Sequence, residues 1–141
     1  MLQLKITAFV VKDVQETTSF YERAFGLPLY YLHPSRGYAE LNAGGVVLAF
    51  LSEEFVEKAD LLGGQSIRTN RLGVDPIAAH VALWSDDLEK DWSRATAEGA
   101  RIVKPLEQKP WGQTTGYLMD RDGIIVELCT PSPRAMPCEC P

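Results

Sequence analysis

The residue best placed for chemistry is Glu127, the one polar side chain in the run Ile124-Ile125-Val126-Glu127-Leu128. Strand alternation puts Ile125 and Glu127 on one face and Ile124, Val126 and Leu128 on the other. A carboxylate in such apolar company must ligate, accept hydrogen bonds or face a wet cavity, because burying it bare is too costly. The turn ahead of it, Asp120-Arg121-Asp122-Gly123, has the Asp-Gly pair that supplies a positive φ and makes a hairpin with Thr114 to Met119. Hairpin register therefore decides which face Glu127 occupies. Other chemistries find little footing. No serine or cysteine stands near a histidine as a nucleophile would, and no glycine loop has phosphate-cradling spacing. Cys129, Cys138 and Cys140 lie near the C-terminus with no histidine close by to complete a zinc set, so they read as bystanders.

The elements that must position Glu127 come in a repeated order. Lys5 to Val11 is β-branched and aromatic, a strand. Asp13 and Glu16 make a capping box, and Val14, Thr17, Phe20, Tyr21 and Ala24 follow at helical spacing until Gly26 and Pro28. Strands are then expected at Leu27 to Leu32, Tyr38 to Leu41 and Val46 to Leu51. A connection of about 25 residues, Ser52 to Pro76, is long for a loop and reads as a lid or linker, its start able to form a short capped helix. The pattern then begins again. Ala79 to Trp84 is a strand, Asp86-Asp87 opens a helix with Leu88, Trp92 and Ala95 on one face, and Gly99 ends it. Arg101 to Lys104 is the next strand, Pro105 to Lys109 a loop, and the Glu127 hairpin completes the set.

Each half thus reads β-α-β-β-β, an internal repeat with a helix on one face of its sheet and the other face bare. The fold class expected is α+β, two βαβββ modules forming an incomplete barrel-like groove with helices outside. The boundaries are about 4–51 for the first module, 52–76 for the connection and 77–130 for the second, all in one domain over 1–130, with 131–141 a flexible proline-rich tail.

Composition narrows the setting. The 141 residues are 45% hydrophobic and 23% charged, ordinary for a soluble globular protein. No apolar run approaches the roughly 20 residues that span a bilayer, and Met1 to Ile6 lacks the basic region and apolar core of a signal peptide, so the expectation is a cytoplasmic protein with no membrane partner. A net charge of -5 with no Lys/Arg cluster argues against nucleic acid and would tolerate a cationic ligand.

Asp13 to Gly26, the Ala79 to Leu88 strand–helix junction, and Pro110-Trp111-Gly112-Gln113 with Asp120 to Leu128 together resemble the vicinal oxygen chelate superfamily. That superfamily groups glyoxalase I, extradiol dioxygenases, and fosfomycin- and bleomycin-resistance proteins. The resemblance runs from about Lys5 to Thr130 and is specific for the fold, whereas function must be argued from the site. It implies four metal ligands from the first and last strands of each module. His80 and Glu127 match in the second module, but Ile6 and Ala49 fall at the corresponding places in the first, and neither can coordinate. A catalytic divalent site normally needs three or more protein ligands, so a third donor would have to come from Glu40, Tyr38 or His33.

Without a metal, His80 and Glu127 would hydrogen-bond one another in the groove. Trp84 shares the face of His80 and can stack on a ligand or pack in the core. Trp111 is either a hairpin plug or a wall of the cavity mouth, and Glu40 reads as a cavity-rim or solvent-facing carboxylate. Trp92, Phe20 and Tyr21 are core.

The favoured expectation is a metal-free small-molecule binder, for a drug or metabolite, using His80, Glu127, Trp84, Glu40, Tyr38 and Trp111. The alternative is a metal-dependent lyase, isomerase or dioxygenase holding Zn, Ni, Mn or Fe with His80, Glu127 and a non-standard third ligand such as Glu40. A plainer third is a regulatory or assembly protein with a vestigial groove. The resemblance further implies a homodimer, its modules paired within or between chains.

Overall fold

Asp13 starts the first helix and Gly26 stops it, as the spacing requires. In the computed structural model, which describes residues 1–134, β1 (Ile6–Val11) leads into α1 (Val14–Phe25), whose first turn is capped by Asp13 Oδ1 accepting from the Glu16 N–H at 3.0 Å. The chain continues through β2 (Leu29–Leu32), β3 (Tyr38–Asn42) and β4 (Val47–Ser52), then α2 (Glu53–Lys58), capped by Ser52. After the connection come β5 (His80–Trp84), α3 (Leu88–Ala97), β6 (Arg101–Gln108), β7 (Thr114–Met119) and β8 (Ile125–Cys129).

The strands form two four-stranded sheets of the same order, β1-β4-β3-β2 and β5-β8-β7-β6, with β1/β4 and β5/β8 parallel and the remaining pairs antiparallel. The α+β pair of βαβββ modules is therefore what forms, and neither sheet closes into a barrel. Registers correspond between modules: Ile6 faces Val47 as His80 faces Ile125, and Ala8 faces Ala49 as Ala82 faces Glu127.

The loop expected over 105–109 is not what forms. Strand β6 runs on through Pro105 to Gln108, because it lies at the sheet edge and a register shift between Lys104 and Glu107 absorbs the missing N–H of Pro105.

One core joins the modules. Phe20, Tyr21 and Phe50 of the first cluster with Leu118, Val126 and Leu128 of the second. Helices α1 and α3 pack on each other between the sheets, and the Arg94 guanidinium donates to the carbonyls of Arg23 at 2.7 Å and Glu22 at 3.1 Å. Gly116 makes room for Trp92 on the helix side of the second sheet: a Cβ there would lie 2.5 Å from the indole. Polar links cross the same junction. Tyr21 Oη donates to Asp120 Oδ2 and Thr17 Oγ1 to Asp122 Oδ2, both at 2.6 Å and both buried. Burial pushes the Asp120 carboxyl up to about 6 despite the hydrogen bonds it accepts from Tyr21, Ile124 and Asp122.

The connection is tied at its middle. Asn70 Nδ2 donates to the Val10 carbonyl at 2.9 Å, Arg71 forms a bidentate pair with Glu53, and the Arg71 carbonyl rests against the β7–β8 turn at Gly123. With both helices taken up in the shared core, the opposite face of each sheet is left bare. Of the proline-rich tail, residues 135–141 lie outside the described residues, as do Cys138 and Cys140.

Candidate functional site: the bare faces of the two sheets

Parallel pairing of β5 and β8 brings His80 and Glu127 to one face. Glu127 stands beside Ala82, two residues along from His80, so both side chains project from the side that α3 does not cover. His80 Nε2 lies 3.0 Å from Glu127 Oε2, with the imidazole 43% exposed and the carboxylate 13%. Tyr117, directly across from Glu127 in β7, sets its ring edge-on to His80 at a centroid distance of 5.6 Å and 79°. Burial, reinforced by the Glu127 charge, raises the Tyr117 phenol, and the same two causes push the buried Cys129 thiol up to about 11. Glu127 is thus an anionic acceptor ringed by an imidazole, a phenol and a thiol. Such a group can take hydrogen bonds from a ligand lying on Tyr117 and His80.

Trp84 follows His80 on the same face of β5, 46% exposed, at the edge of the sheet. It borders a cavity of about 550 Å³ with Phe25, Leu27, Leu83 and Asp91 where the two modules meet. Trp111 is also exposed, in the β6–β7 turn, with its Nε1 donating to Gln113 Oε1 at 3.1 Å and Lys109 Nζ 5.8 Å from its ring. Register puts that turn beyond Thr115, which aligns with Cys129 and so with Trp84, at the opposite end of the sheet from His80.

The other candidates belong to the first module. Glu40 pairs with Ala49 on one side and Tyr31 on the other, and it accepts from Tyr38 Oη at 2.7 Å. Burial first, then that hydrogen bond, pushes the Tyr38 phenol up to about 12. His33 is engaged elsewhere: Nδ1 is 2.7 Å from Ser35 Oγ, and the ring lies against Phe55 at 5.4 Å, shaping the β2–β3 turn. Ile6 and Ala49 occupy the register positions that His80 and Glu127 occupy in the second sheet. Among the described residues no three His, Cys, Asp or Glu side chains converge as a metal set. Within one chain His80 and Glu127 are two donors, and Glu40 stands on the other sheet. That donor set does not fit a catalytic divalent ion.

Tyr117 and Tyr31 were not singled out by the sequence. Counting back through the Asp120–Gly123 turn places Tyr117 opposite Glu127, so its signal was present. Tyr31 follows a register shift between Leu29 and Tyr31, which no residue pattern announces.

Comparison with known proteins agrees with this architecture. The family model for the Glyoxalase/Bleomycin resistance protein/Dioxygenase superfamily matches residues 3–128. The uncharacterized protein YraH of Bacillus subtilis is 22% identical over 129 residues, 91% of this chain and 95% of that protein. A glyoxalase-related enzyme from Fulvimarina pelagi superposes with a TM-score of 0.73 at 22% identity, covering 93% of this chain and 89% of its own. TioX from Micromonospora sp. ML1 superposes at 0.67 and 23%, covering 91% and 98%. At such identities the solved structures share the fold.

Proposed function

Because this chain belongs to the glyoxalase/bleomycin resistance protein/dioxygenase superfamily, we propose that it is a metal-free small-molecule-binding protein whose ligand lies on the His80, Glu127, Tyr117 and Trp84 face. The observation that carries this reading is the register: Ile6 and Ala49 stand where two further donors would complete a coordination sphere. What remains is a carboxylate and an imidazole already in contact, an aromatic ring on either side, and open apolar surface. A site of that make-up orients a ligand by a few hydrogen bonds and holds it by stacking.

A homodimer goes with this reading. One chain leaves both bare faces outward, with Ile6 at 45% and Tyr31 at 44% exposure on one and Trp84 at 46% on the other, so a second copy would supply the missing wall of each groove. Thermal-shift screening tests the function. Aromatic or amine ligands are expected to raise the melting temperature while Zn, Ni, Mn and Fe(II) salts leave it unchanged; stabilisation by a divalent ion alone would overturn the proposal.

The 3.0 Å contact of His80 with Glu127 favours one second reading, a metal-dependent lyase, isomerase or dioxygenase whose third ligand comes from elsewhere. That reading requires ion-dependent stabilisation lost in His80→Ala.

A further inference from the structure

We propose that the bare face of the first module carries a site for an alkylammonium group, built from Glu40, Tyr31 and Tyr38. This rests on reading the bare faces as ligand-binding and adds the chemical class of the ligand. The register row Ala8, Ala49, Glu40, Tyr31 crosses the sheet from β1 to β2, and Tyr38 precedes Glu40 by two residues, so the three functional side chains share one face. Along that row the residues on the β1 side of Glu40 are alanines, which offer no polar partner.

Charge decides what such a place accepts. One oxygen of Glu40 takes the Tyr38 hydroxyl at 2.7 Å, a neutral donor. Among the described residues no lysine, arginine or histidine lies within ion-pair distance of Glu40, whereas Glu127 has His80, Glu53 has Arg71 and Glu107 has Lys104. A half-buried carboxylate without a cation is incompletely compensated. The rings of Tyr31 and Tyr38 stand 6.3 Å apart and inclined by 56° beside it. Their electron-rich faces attract a cation within about 6 Å of a ring centroid, and an N–H of an ammonium can reach the free Glu40 oxygen. A net charge of -5 raises the local concentration of such ligands. A carboxylate ligand would be repelled by Glu40, and a neutral one would leave it unpaired.

Calorimetric titration of the full chain at pH 7 with benzylamine, a cation there, and with benzyl alcohol, its neutral counterpart, tests this. The expected result is benzylammonium binding at least tenfold tighter than benzyl alcohol, with the preference lost in Glu40→Gln and kept in Glu89→Gln, which removes an exposed carboxylate of α3. Amide shift mapping on the unmodified protein supplies an independent readout, with changes expected at Tyr31, Tyr38 and Glu40. Equal binding of the two probes, a preference that survives Glu40→Gln, or shifts centred on His80 and Glu127 would overturn the cation site while leaving small-molecule binding intact. Failure of both probes to bind would overturn the cation site as well, and would count against the binding reading only if the wider ligand screen were also empty.

Discussion

Ala49 holds in the first sheet the place that Glu127 holds in the second: each is aligned with an alanine of the edge strand, Ala8 in one case and Ala82 in the other. The two modules therefore match in backbone and differ in donors. A methyl stands where a carboxylate would, while in the second sheet His80 Nε2 lies 3.0 Å from Glu127 Oε2.

That pairing is measurable. The His80 imidazole is 43% exposed, so water screens the interaction, and a double-mutant cycle of His80→Ala and Glu127→Gln should return a coupling of about 1 kcal/mol or less in urea unfolding. A coupling several times larger would mean a desolvated pair and a site closed to ligands.

Acid should strengthen the junction between modules. The folded Asp120 carboxyl sits near 6 against an ordinary 3.8, and Asp122 is raised as well, both chiefly by burial. The folded state thus holds these protons more tightly than the unfolded state does. Their contribution is fully present below the ordinary value and is lost as pH climbs through about 6, on the order of 3 kcal/mol for Asp120. Glu53, lowered by its hydrogen bond to Arg71, works the other way and costs stability only at more acid pH. The melting temperature should therefore fall between pH 5 and about 7. Asp120→Asn, which keeps an acceptor for the Ile124 and Asp122 N–H groups and offers Tyr21 an N–H, should flatten that slope.

Two glycines of the second module are fixed by their neighbours. Alanine at Gly116 would bring its Cβ to 2.5 Å from Trp92, and at Gly123 to 2.5 Å from the Arg71 carbonyl at a φ of 83°. Gly116→Ala should cost about 1–3 kcal/mol by displacing Trp92. Gly123→Ala should cost at least as much, since its backbone strain adds to a clash with main chain. Equilibrium urea unfolding of each variant gives the comparison, and a loss of under about 0.5 kcal/mol at Gly123 would contradict the packing described.

Much of the fold was legible because local chemistry and global order agree. Asp13, Ser52 and Asp87 each cap the helix their position announces, and the Asp120–Gly123 turn fixes the register that faces Glu127 away from α3. Pro105 misled because an edge strand tolerates what a central one cannot. The site was harder to read. The face of Glu40 turned on a single residue of register that its sequence does not fix, and nothing in the sequence says that α1 and α3 pack between the sheets, or that Tyr21 and Thr17 reach Asp120 and Asp122 about a hundred residues away. Long-range packing of that kind decides which faces stay bare, and it is not encoded in any local pattern.

Metal content is the most direct measurement of the central claim. Protein purified without chelator and analysed by plasma mass spectrometry should carry far less than one equivalent of Zn, Ni, Mn or Fe per chain, and His80→Ala should not change that figure. Near-stoichiometric metal in the unmodified protein, removed by His80→Ala or Glu127→Gln, would contradict the account and make catalysis the better reading.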